Sequence, residues 1–114
     1  MFDYDESIQE YSAEIRGIKF ISEEVNEYTE DMAMELAKAY YDKYDSIIEF
    51  IVGHMLDTYP DIKAEGIEEN IGKSLIDMDT KQLVIPYRSS LFIHYLTVEF
   101  TGLFDKLSYF SMDG

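Results

Sequence analysis

The chain has 114 residues, 46% of them apolar and 15% aromatic, and a formal net charge of -15. That is length for one modest core and not for two, and too many core formers for a disordered acidic tail. The charge argues against nucleic acid and anionic membrane surfaces as partners, and the lack of cysteine excludes disulfides, thiolate catalysis and thiolate metal sites.

Residues 1–10 are polar and read as a loose arm. Residues 15–21 are the first strand candidate, an edge or paired strand in which Gly17 marks a bulge or a close approach. Ser22 is placed to cap a helix, and Glu23 and Glu24 suit the positive end of its dipole. Apolar residues then recur at spacings of three and four from Tyr28 through Leu56, and Pro60 ends the pattern. A straight helix of about 35 residues would run to about 50 Å, too long for so small a domain. Two helices, or one bent over residues 42–46, are therefore expected, with Asp45 or Ser46 capping the second. Asp61 is placed to cap a short helix over residues 62–71, with Gly72 at the C′ position.

The period then changes. Residues 74–78 read as a short strand, 79–81 as a turn, and 82–87 as a returning strand that Pro86 makes an edge or brings to an end. Ser89-Ser90 breaks the chain. Residues 92–100 (FIHYLTVEF) are apolar on both alternating faces, as a central strand with a helix on one side would be. Thr101-Gly102 turns, and residues 106–112 form the last strand. The expected fold is one α+β domain over residues 1–114. It has an N-terminal strand, a long or bent helix pair, a short helix, and an antiparallel meander of three or four strands with helices on one face.

No constellation specifies an enzyme, a cofactor or a metal. His54 falls in the helical region and His94 in the strongest strand, with no spacing that pairs them as ligands. Asp77 and Asp79 cluster at a turn. Read as a calcium loop from Asp77, that segment has Gln82 where glycine is required and Arg88 where the bidentate acid belongs. The scattered glycines form neither a P-loop nor a dinucleotide fingerprint.

Charge and tyrosine carry the functional signal. Residues 1–60 hold fifteen acids and four bases, residues 61–114 nine and five, so the acidic face lies on the N-terminal half. The chain has ten tyrosines, a residue that offers rigid contact area with a polar tip. Tyr41 lies off the apolar stripe beside Asp42, Asp45 and Glu49. Together they form a candidate grip on a basic protein, with Tyr40 and Tyr44 read as half-buried. With no basic, apolar leader segment and no apolar run long enough to span a bilayer, a cytoplasmic chain is expected.

Residues 71–114 combine turn acids (Asp77, Asp79), a strand reaching Tyr87, the segment Leu91-Phe92-Ile93-His94, a strand closing on Glu99, a turn at Gly102 and the ending Asp113-Gly114. In this order they resemble small bacterial α+β domains of unknown function, some of them similar to immunity proteins of polymorphic toxin systems. The resemblance implies stoichiometric binding, with acidic surfaces set against basic nucleases, and no catalytic residue. The alternative expectation is a small homo-oligomeric or complex-forming structural protein.

Overall fold

The computed structural model describes residues 1–89 and 92–113. The chain runs β1 (Asp3–Asp5), β2 (Glu10–Ile15), β3 (Ile18–Ser22), α1 (Thr29–Asp42), α2 (Tyr44–Met55), α3 (Ala64–Asn70), β4 (Leu75–Asp77), β5 (Gln82–Ser89), β6 (Phe92–Thr101) and β7 (Lys106–Asp113). All seven strands form one sheet in chain order. Neighbours are antiparallel except β3 and β4, which pair in parallel from Lys19–Leu75 to Ile21–Asp77. Parallel neighbours need a long crossover, and the three helices are that crossover. The α+β class, the split helix pair, the short third helix and the C-terminal meander stand as expected. Ser90, Leu91 and Gly114, used above in the expected break and in the resemblance, lie outside the described residues.

The N-terminal quarter differs from expectation. Residues 3–5 pair with β2, and Tyr4 meets Tyr11 edge to face at 5.2 Å. The link between these strands is tied by Asp5, whose Oδ1 accepts from the Ser7 amide at 3.0 Å and the Ser7 hydroxyl at 2.6 Å. Nor is 15–21 one strand. Ile15 pairs with Ile18 across a two-residue turn in which Arg16 (φ 52°) and Gly17 (φ 81°) are both left-handed, the geometry that matches the twist of a tight hairpin. Gly17 thus makes a turn rather than a bulge, and a Cβ there would lie 3.5 Å from the Tyr41 hydroxyl.

Ser22 does not cap the helix. It ends β3 opposite Tyr11, is buried, and donates its hydroxyl to the Glu24 carbonyl at 2.6 Å. The helix starts seven residues later at Thr29, after Asn26 has accepted from the Tyr28 amide at 2.8 Å. α1 and α2 are separated by Lys43 alone, whose backbone (φ -110°, ψ 15°) is non-helical. Lys43, not Asp45 or Ser46, is the N-cap of α2, and Lys63, not Asp61, is that of α3. Gly72 is not a left-handed cap either. Its amide donates to the Pro86 carbonyl at 2.8 Å, and a Cβ there would lie 3.5 Å from that proline's ring.

Pro86 sits in an interior strand and does not end it. In an antiparallel strand a residue's N–H and C=O point to the same side, and the Pro86 carbonyl points to Gly72. Its missing N–H therefore faces the flank that β4, whose first residue Leu75 is opposite Val84, does not reach.

One face of the sheet is covered. Ile18, Phe20, Ile76, Leu83, Ile85, Leu96, Val98 and Phe100 meet Leu36, Ile47, Ile48, Ile51, Met55 and Ile67 from the helices. Each such side chain contributes about 1.5–3 kcal/mol of burial. Ala33 and Ala37, both fully buried on α1, keep that helix close. The other face carries Leu75, Val84, Tyr95 and Thr97, with no helix over it among the described residues. Among the described residues, no helix is long and apolar enough to cross a membrane.

Candidate functional site

The helical grip expected around Tyr41 is divided by the fold. Tyr41 is 43% exposed, but its hydroxyl donates to the Arg16 carbonyl and the Arg16 guanidinium lies 5.0 Å from its ring centroid. The β2–β3 turn thus occupies both its polar tip and one ring face. Asp42 ends α1, where Lys38 pairs with it at 2.6 Å and holds its carboxyl below the usual range. Asp45 and Glu49 follow on α2, exposed and without an ion pair among the described residues. Tyr40 is more deeply buried than expected. It shares a 2.9 Å hydrogen bond with Ser74, and burial raises its phenol. Burial, then the neighbouring Tyr40, pushes Tyr44 up to about 12.

The histidines stay apart. His54 is exposed at the end of α2, its Nδ1 3.0 Å from the Phe50 carbonyl and its ring between Phe50 and Phe110. His94, on β6, pairs with Tyr87 of β5. Phe110 pairs with Val98, four residues along β6 from His94, or about 13 Å at the rise of a strand. Asp77 is used by its own turn, accepting from the Asp79 and Thr80 amides at 3.0 and 3.3 Å.

Asp79 leads to the site that the sequence did not show. Its Oδ2 accepts from the Glu23 amide at 2.7 Å, tying the β4–β5 turn to the segment after β3. Glu10 arrives from the start of β2, next to the Tyr11–Ser22 pair. Carboxylate oxygens of Glu10, Glu23 and Asp79 lie within 4.8 Å of one another. Glu10 is raised by desolvation first and then by the charges of Asp77, Asp79 and Glu23. Beside the cluster is a depression of about 340 Å³ lined by Ser22, Glu24, Asn26, Tyr28, Met32, Met78, Asp79 and Lys81 among others. Tyr28 is 69% exposed and Met32 40%, because Tyr28 precedes the first turn of α1 instead of lying on its buried stripe. Three carboxylates from residues 10, 23 and 79 carry no spacing signal. They meet only through the hairpin and the parallel β3–β4 pairing.

This acidic end supplies carboxylate oxygens and apolar contact, and its Ser22 hydroxyl, which donates to the Glu24 carbonyl at 2.6 Å, lies 3.5 Å from Asp79 Oδ1. Grouped carboxylate oxygens of this kind suit a cation, and they equally match the several N–H groups of a guanidinium or ammonium. Comparison with protein-family models, with curated proteins and with solved structures finds no match to this chain.

Proposed function

We propose that the protein acts by stoichiometric binding of a basic protein, as an inhibitor or immunity-type module, and that the acidic end is its contact surface. The observation that carries the reading is the exposed Tyr28–Met32 pair set beside the Glu10, Glu23 and Asp79 carboxylates. An exposed tyrosine is the residue type of an interface hot spot, and a like-charged cluster at its rim steers a cationic partner onto it. Asp45 and Glu49 extend the negative field along α2 and affect the association rate more than the affinity.

The test is affinity capture from the native cells at physiological salt, with mass spectrometry of the bound material. The expected result is one stoichiometric basic protein that is released at high salt and weakened about ten-fold or more by Tyr28→Ala, as expected for a hot-spot aromatic. Retention of that partner by Y28A, with loss on Asp45→Ala and Glu49→Ala, moves the contact to α2. Capture of no basic protein contradicts the proposal.

A further inference from the structure

The two edges of the sheet are built differently. β1 is three residues long and two of them are aspartate, a short charged strand that resists pairing. β7 is eight residues long and, among the described residues, has no strand beyond it. Its interior, from Leu107 to Met112, contains no charge and no proline, so apart from the register shift opposite Glu99/Phe100 its outward backbone groups form an open template.

The charges at its ends select the occupant. In antiparallel pairing, opposed residues share a face. β7 carries a register shift at Glu99/Phe100, where Tyr109 opposes Glu99 and Leu107 opposes Phe100. Ser108 is therefore an extra residue, and it places Lys106 and Asp113 on the same face, opposite Thr101 and Tyr95 of β6. Consider a second β7 related by a two-fold axis through Phe110. The shifts in the two copies fall on either side of the axis, and every opposed pair keeps its face. Lys106 then meets Asp113 of the other copy, and Leu107 meets Met112, in both halves of the contact.

The global charge does not forbid this approach. Successive strands are about 4.8 Å apart, so the acidic end, which reaches from β2 to the β4–β5 turn, comes no nearer to β7 than β5, two strands or about 10 Å away, beyond the roughly 8 Å screening length at physiological salt. Of the acids nearest β7, Asp105 is paired with Lys43 at 3.0 Å.

We infer that β7 is the interface of a two-fold homodimer, joined edge to edge into one sheet of fourteen strands with Phe110 on the axis. The acidic ends then point outward, and the dimer does not depend on the proposed binding of a basic protein. The test is sedimentation of the intact chain over a concentration series, with charge reversals at exposed Lys106 and Asp113 that leave the core alone. The wild type is expected to dimerise. Lys106→Asp should weaken the dimer about ten-fold or more, because two attractive pairs become repulsive, and K106D/D113K should restore it. A 13.3 kDa monomer at every concentration, a dimer indifferent to K106D, or one not restored by the double reversal overturns the inference.

Discussion

The two sides of the sheet divide the work of an acidic chain. Around β2, β3 and the β4–β5 turn, carboxylates crowd within 4.8 Å of one another and an aromatic and a methionine stand open beside them. Along β6 and β7 the charge is sparse, and Phe100, stacked on Phe104 at 4.2 Å, closes the core. A net charge of -15 is thus no uniform coat. Repulsion is concentrated where the chain turns and meets water, and the long strands that bury the core stay almost free of it. Only four of the 24 acids are in ion pairs among the described residues, so the acidic side is held by packing and backbone pairing rather than by neutralisation.

Substitutions graded by size test that contrast. The largest expected effect is on the neutral side, where Phe100→Ala should cost about 3–5 kcal/mol in urea unfolding. Tyr28→Ala, an equal truncation at the acidic end, should stay within about 0.5 kcal/mol. Similar losses for the two would break the distinction. Tyr40→Phe comes next, at about 1–2 kcal/mol, because it leaves the buried Ser74 hydroxyl without its partner. Arg16→Ala should cost about 0.5–1 kcal/mol through the lost contact on the Tyr41 ring, and hydrogen exchange should locate the loosening at the β2–β3 turn.

The smallest effect has the opposite sign. Glu10→Gln should stabilise the fold at neutral pH by about 0.5 kcal/mol, the scale of surface charge pairs. Glu10 titrates above its ordinary carboxyl value when folded. Between the unfolded and folded values, the folded state holds more protons, so stability falls as pH rises through that window. The substitution should flatten that part of the curve, and added salt should shrink the difference. Thermal melts from mildly acidic to neutral pH would check both.

Much of the fold was legible because period and breakers acted locally. The helix pair, its interruption near Lys43, and the four C-terminal strands follow from apolar spacing and from turn residues such as Gly102. The errors came where two signals overlapped. Arg16-Gly17 interrupts an apolar run too short to show two strands. Ser22 has the chemistry of a cap, but its backbone is held by the ladder to Tyr11. Pro86 reads as an edge because local sequence cannot show that β4 stops short of it. At the candidate site, Asp79 was visible as a turn acid. Its partners were not, since nothing in the order of residues shows that β3 and β4 lie side by side. Tyr41 is exposed, in keeping with its place off the apolar stripe, but the carbonyl of Arg16, 25 positions earlier, occupies its hydroxyl.

The division of charge can be tested most directly by titrating the isotope-labelled protein with an arginine-rich peptide and following its amide resonances. The account predicts that shifts gather at Glu10, at residues 22–32 and at Asp77–Lys81, fade with added salt, and leave β6 and β7 unmoved. Shifts of equal size along β7, or confined to Asp45 and Glu49 on α2, would contradict it.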